Sequence, residues 1–193
     1  MAAVNKTTAI RSIIKATDEE PVVFSTGYAC RIAQGVADRP NHFYMTGSMG
    51  LASSIAIGIA QQTDRATVVV DGDGSLLMNP VGLVTAGASA ALPLVHILLD
   101  DGRYASTGGQ HVPSAKTDFA MLAAACGYSR VSRIDDADEL VETLREVMGT
   151  CSAPAFIHCL LSGENPPIPP RVDPDLAVHA ARFAENVQKS VAR

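Results

Sequence analysis

VVVDGDGSLLMN, from Val68 to Asn79, is the stretch on which the reading of this chain turns. It opens as a continuous β-branched run, the pattern of a strand buried on both faces, and ends in Asp-Gly-Asp-Gly-Ser before an apolar helix start. The two glycines allow a sharp turn and a close approach of backbone to a ligand. The N–H groups at the helix start suit a phosphate. Asp73 adds a carboxylate, a hard oxygen donor fit for a Mg²⁺ that bridges such a phosphate. Rival motifs fail on single positions. A dinucleotide fingerprint needs a third glycine where Leu77 stands, and a P-loop needs Gly-Lys-Ser/Thr, which is absent. An EF-hand counted from Asp71 meets Leu76 and Gly82 where it needs Gly and Glu. A purely structural turn is the remaining plain alternative.

Working outward, short apolar runs alternate with helical stretches. Pro21–Ser25, His42–Thr46, Ala66–Val70, Pro93–Leu99, Tyr128–Ile134 and Ala155–Leu161 read as six strands. Tyr28–Ala37, Leu51–Ala60, Val81–Ala91, Asp118–Ala125 and Ala137–Met148 read as helices, with Thr117 or Asp118 and Asp135 or Asp136 as N-caps. This alternation predicts a three-layer α/β/α domain on a mostly parallel six-stranded sheet. Function in such sheets gathers beyond the carboxyl ends of the strands. The domain is assigned to residues 1–163. Residues 164–193 form a proline-rich connector with Pro166, Pro167, Pro169, Pro170 and Pro174, then an amphipathic helix from Asp175 to Val191. Its stripe of Leu176, Ala180, Phe183 and Val187 suits docking on its own domain or on a partner equally.

Composition closes off other classes. The chain has 193 residues, 47% of them apolar, and a net charge of −5. That excludes a disordered chain, and the scattered basic residues and absent Trp exclude a nucleic-acid face. No apolar run approaches the ~18 residues of a membrane span, and Met1–Lys15 lacks a secretory core. Cys30, Cys126, Cys151 and Cys159 form no CxxC pair and read as reduced thiols of a cytoplasmic protein.

A second strand end narrows the chemistry. Asp73 and Asp101 lie 28 residues apart, each beyond an apolar strand, with one helix between. A βαβ unit sets such residues at neighbouring carboxyl ends, within reach of one ion. Two metal readings share this feature. One is an aspartyl-nucleophile phosphatase, with Asp71 as nucleophile, Asp73 as acid/base, and Lys116 and the Asp100/Asp101 pair completing the site. The other is a Mg²⁺–thiamine diphosphate site. Two βα units precede Asp71, which fits the second reading better, because the phosphatase nucleophile usually stands near the start of its domain.

Ser25-Thr26-Gly27, Thr46–Gly50, Gly72–Met78 and Leu99–Gln110, the last containing Ser106-Thr107-Gly108-Gly109-Gln110, resemble the diphosphate-binding half of thiamine-diphosphate-dependent decarboxylases. Within them the chain is most similar to those acting on sulfopyruvate or phosphonopyruvate. The resemblance implies that fold, with thiamine diphosphate and Mg²⁺ as cofactors. It implies Asp73, Asp101 and the Arg103 carbonyl as metal ligands, and Gly72, Gly74 and Ser75 along the diphosphate with Thr26 and Gly27. It further implies the Gly47 carbonyl as acceptor for the 4′-amino group, Met49 as the wedge beneath the cofactor, and Ser48 and Tyr104 among its neighbours. Asp101 stands where such enzymes usually carry Asn. The reaction implied is loss of CO₂ from a 2-oxo acid bearing a sulfonate or phosphonate, giving an aldehyde. A non-catalytic paralogue of such a subunit is a further alternative. The activating Glu of such enzymes comes from a pyrimidine-binding domain, for which this chain has no room, so a heteromer with a pyrimidine-binding subunit is expected. For the chain alone, a homodimer through the unused face is the alternative assembly.

Among other candidates, His111 follows Gly-Gly-Gln in a loop and is the catalytic candidate for proton transfer or anion binding. His96 and His158 lie inside apolar strands and read as satisfied core residues. His42 and His179 receive no role. The Arg103 side chain reads equally as a substrate contact or a surface charge, and Lys116 as a loop charge.

Overall fold

The computed structural model describes residues 4–172 and 175–191; Met1 to Ala3, Asp173 and Pro174 of the predicted connector, and the last two residues lie outside the described residues. The apolar runs build the sheet. Its strands are β1 (Val22–Phe24), β2 (His42–Tyr44), β3 (Thr67–Gly72), β4 (Leu94–Asp100), β7 (Arg130–Ile134) and β8 (Ala155–Leu160). They are all parallel, in the order β2-β1-β3-β4-β8-β7. The remaining strands, β5 (Arg103–Tyr104) and β6 (Gln110–His111), form a separate antiparallel hairpin that the sequence reading did not foresee. Two-residue polar strands carry no apolar period to detect.

Successive side chains of a strand face opposite ways. Val68 and Val70 therefore join one core with α1 (Lys6–Ala16), α2 (Tyr28–Val36) and α7 (Ala137–Gly149). Val69 and Leu98 join the other with α3 (Ala52–Ala60), α5 (Val81–Gly87) and α6 (Phe119–Ala125). This is the predicted three-layer α/β/α domain. Asp118 caps α6 by accepting from the Met121 N–H, and Asp136 caps α7 from Asp138 and Glu139. The predicted Val81–Ala91 helix stops at Gly87, because the chain must turn to bring Pro93 level with β3, where Thr67 N–H donates to the Pro93 carbonyl.

The C-terminal helix α8 (Leu176–Val191) lies against the edge strand β2 of its own domain. Phe183 is buried and its ring stands 5.3 Å from that of Phe43, while Arg182 pairs with Asp38. The edge is thereby shielded from pairing with another chain. The connector before it is strapped to α2: Arg31 donates to the carbonyls of Pro169 and Pro170, and Pro169 sits so close to Gly35 that a Cβ there would lie 2.8 Å from its ring. Among the described residues no helix is long and apolar enough to cross a membrane.

Two strand-order reversals matter for function. β1 lies between β2 and β3, so the loops after β1 and β3 leave in opposite directions and open a crevice at the sheet's carboxyl end. β8 returns between β4 and β7 and brings its own end beside that of β4.

Candidate functional site

The crevice gathers many, not all, of the residues the sequence singled out. β3 runs on through Asp71 to Gly72, and the predicted loop itself becomes the short helix α4 (Asp73–Met78). Thr26, Met49, Gly72, Asp73, Gly74, Ser75, Arg103 and Tyr104 border one cavity, with the Arg103–Thr107 turn among its walls. Gly74 is glycine for a stated reason: a Cβ there would stand 2.3 Å from Cε1 of Tyr104. The Thr46–Gly50 loop is tied to α4. Gly50 N–H donates to Ser75 Oγ at 3.1 Å, and Asn79 Nδ2 donates to the Gly50 carbonyl at 3.0 Å. Within this loop Ser48 holds φ 53°, a conformation that costs a non-glycine residue energy and recurs at ligand sites.

The register of β3 and β4 sets Gly72 opposite Leu99. Asp73 therefore comes level with Asp100, and Asp101 follows one residue on. The carboxylates behave accordingly. Burial and then the neighbouring Asp100 charge push the Asp73 carboxyl up to about 7, with Asp101 contributing less. Asp100 is held below the usual range: burial works against this, but hydrogen bonds, foremost from His158 Nε2 at 2.8 Å, outweigh it. Asp101 Oδ2 accepts from Lys6 Nζ at 2.7 Å. Asp100, His158 and Lys6 thus join the site although the sequence reading gave them no part in the cofactor site. For His158 the only signal was a polar residue in an apolar strand. For Lys6 there was none, since its partner lies 95 positions away.

The donor set can be tested against a dication. Asp73 Oδ2 and Asp101 Oδ1 are buried without a hydrogen-bond partner. Such oxygens are costly to bury unless something serves them, and carboxylate oxygens are what Mg²⁺ takes. No group of three or more His, Cys, Asp or Glu side chains placed for a metal occurs among the described residues. The remaining ligands would then be main-chain carbonyls, ligand oxygens and water, as the Asp73, Asp101 and Arg103 carbonyl set requires. These residues fit the ion.

Other expected positions fare differently. Gly72 N–H already donates to Asp71 Oδ1 at 3.0 Å, so it is no free donor for a diphosphate. Asp71 is 1% exposed, and Lys116 stands exposed outside the lining of the crevice. Asp71 nevertheless borders the same cavity as Asp73, so burial does not decide between the two metal readings; the comparisons below favour the decarboxylase over the phosphatase. Thr26 stands at the cavity's β1 side, and Gly27, with φ 99° and its Cα facing Ser106, lines the adjoining cavity instead. Gly47 is exposed, with open space around it. His111 is exposed at the hairpin tip strand β6, opposite Arg103. His96 is a core residue, its Nδ1 3.2 Å from the Tyr128 hydroxyl.

Comparisons with known proteins agree with this geometry. Residues 25–159 match the family model described as thiamine pyrophosphate enzyme, C-terminal TPP binding domain. The chain is 44% identical over 137 residues to a phosphonopyruvate decarboxylase of Streptomyces viridochromogenes, covering 71% of this chain and 34% of that protein. It is 36% identical over 180 residues to the sulfopyruvate decarboxylase subunit beta of Methanothermobacter thermautotrophicus, covering 93% and 94% of the two chains. The chain thus spans about a third of the phosphonopyruvate decarboxylase and nearly the whole of the beta subunit. Its fold resembles that of benzoylformate decarboxylase from Polynucleobacter necessarius, with a TM-score of 0.70 at 17% identity over 86% of this chain and 34% of that one. With a matching model over most of its length and a crevice whose carboxylates fit a dication, the chain belongs to the thiamine pyrophosphate enzymes, as their C-terminal TPP-binding domain.

Proposed function

We propose that the chain is the diphosphate- and Mg²⁺-holding subunit of a non-oxidative 2-oxo acid decarboxylase acting on sulfopyruvate or phosphonopyruvate. The observation that carries this is the pair of buried, unserved carboxylate oxygens on Asp73 and Asp101 at adjacent strand ends, beside the Gly72–Ser75 turn. When bound, thiamine diphosphate supplies the electron sink for the carbon that loses CO₂. This chain's residues hold and orient it. Asp73, Asp101 and the Arg103 carbonyl bind the ion, while Thr26, Gly27, Gly74 and Ser75 line the diphosphate. Met49 would pack against the cofactor, and the Gly47 carbonyl would accept a hydrogen bond from its amino group.

The substrate's second anion needs a cation. A cavity of about 450 Å³ adjoins the crevice, shares Thr26 and Ser106 with it, and includes Arg31 and Arg171 in its lining. Arg31 is engaged with the connector's carbonyls, so Arg171 is our assignment for the sulfonate or phosphonate. The face beside Met49 is apolar and uncovered: Leu51, Met78, Val81 and Val84 are 45–63% exposed. We assign this face to the pyrimidine-binding partner, which would bring the activating Glu. Buried Cys30 and Cys159, the latter's thiol pushed up to about 12 by burial, suit a reducing cytoplasm.

The test is assembly followed by turnover. The chain is expressed with and without its neighbouring genes and weighed by native mass spectrometry, then assayed on sulfopyruvate, phosphonopyruvate and pyruvate. Only the heteromer should turn over, and only with the two acids that carry a second anionic group. Arg171→Gln should raise KM for these by about tenfold, the worth of one charge-assisted pair. Turnover of pyruvate alone sinks the substrate assignment; full activity of the chain by itself sinks the partner. A complex that takes up no Mg²⁺–thiamine diphosphate in calorimetry would mark a non-catalytic paralogue.

A further inference from the structure

Lys6 sits oddly for a helix residue. It is the first residue of α1, after the N-cap Asn5, where the helix dipole disfavours a positive charge. Its side chain is only 9% exposed, although a lysine at a helix end can normally reach water. It is held there by Asp101, itself 17% exposed, at 2.7 Å. The position is rigid. Ser162 and Gly163 N–H both donate to the Val4 carbonyl, and Asn5 Nδ2 donates to the Glu164 carbonyl at 2.9 Å, so the start of α1 is pinned to the end of β8. Lys6 meets one oxygen of Asp101 and leaves Oδ1 buried and unserved.

We propose that Lys6 is the charge partner that allows a carboxylate to act as the second metal ligand. The ammonium takes Oδ2 and leaves Oδ1 for the dication. The Lys6–Asp101 pair then carries the net charge of a neutral Asn-type ligand. Without it, three carboxylates, Asp73, Asp100 and Asp101, would face a polyanionic diphosphate. Lys6 is thus a positioning residue, acting through Asp101. The inference rests on the proposed cofactor site.

The two residues form a cycle of variants. Removing one member of a buried ion pair leaves an uncompensated charge, whereas removing both is close to neutral. Lys6→Met, Asp101→Asn and the double variant are compared with the wild-type full chain, assembled with its partner. Two quantities are read: thermal stability without cofactor, and affinity for Mg²⁺–thiamine diphosphate by calorimetry. Lys6→Met should weaken cofactor binding by at least about tenfold and lower the melting temperature. The double variant should regain both, to within about threefold in affinity. Docking of α1 alone would explain the stability loss but not a rescue of affinity by Asp101→Asn. A double variant as weak as Lys6→Met, showing that Lys6 acts on the diphosphate directly, overturns the proposal. So does a Lys6→Met protein equal to wild type. If Lys6→Met does not fold, the double variant should, and its failure overturns the proposal too. A wild-type complex that binds no cofactor would count against the functional reading instead. The cofactor-free stability cycle then decides on its own, and additivity there refutes the pairing.

Discussion

Asp73→Asn is expected to lower turnover of the assembled enzyme by about 10³-fold or more, because the proposed site then loses a charged ligand to its dication. The same substitution should stabilise the cofactor-free chain. Asp73 is 2% exposed, carries an unserved oxygen, and is pushed from an ordinary 3.8 to about 7 by burial and by Asp100. A carboxyl raised in the folded state binds its proton more tightly there than in the unfolded chain. Its contribution to stability is therefore present below about pH 4 and lost as pH rises towards 7. Asparagine removes that loss. Melting curves of wild type and Asp73→Asn from pH 4 to 8 should diverge as pH rises. Parallel curves would show that Asp73 is ionised without cost. His42, buried and lowered to about 4, acts oppositely: its stabilisation fades as pH falls from 6.5, so only the difference between the two proteins isolates Asp73. A residue whose removal stabilises the chain while abolishing its activity is one the fold keeps for chemistry.

The second large effect is structural. Gly87→Ala should cost about 3 kcal/mol or more, lowering the melting temperature by about 6–12 °C. A Cβ at Gly87 would stand 1.9 Å from the Cys126 carbonyl oxygen and 2.6 Å from its carbon. These are backbone atoms at the end of α6 and cannot swing aside as a side chain could. The adjoining Gly127, with φ 104°, is equally close: its Cα would lie 3.1 Å from that Cβ, and a Cβ on Gly127 would itself stand 2.6 Å from the Gly87 carbonyl oxygen. Gly58 supplies the control. It lies inside α3 with open space around its Cα, and Gly58→Ala should be neutral or stabilising by up to about 1 kcal/mol. Equal stability of the two variants in chemical denaturation would show that α5 and α6 can separate without cost.

Much of the layout was legible in the chain because burial on both faces leaves a local mark. Ala66–Val70, Pro93–Leu99 and Ala155–Leu161 are apolar runs broken by no more than one polar residue each, and they became the adjacent interior strands β3, β4 and β8. Asp118 and Asp136 announced helix starts because an N-cap is a contact between residues two or three apart. The Gly-Asp-Gly-Ser turn was legible for the same reason: turning sharply at a strand end is a property of consecutive residues. α8 shows where this legibility ends. Its stripe of Ala180, Phe183 and Val187 told which face is apolar, but period alone does not say what covers that face; Phe43 on the edge strand does.

The sequence by itself determined the sheet strands and the helices that cover them, the parallel sheet and the end of it where ligands gather, since each follows from local pattern and chain reversal; the β5/β6 hairpin and α4 left no such pattern. Tertiary structure alone decided the electrostatics of the site. The register that sets Asp73 beside Asp100, the insertion of β8 that brings His158 to Asp100, and the pinning of α1 that brings Lys6 to Asp101 all join residues far apart in the chain. Charge interactions act over a few ångströms of space irrespective of sequence distance. No reading of neighbours along the chain could have shown which carboxylate has a cation beside it and which is left to a metal.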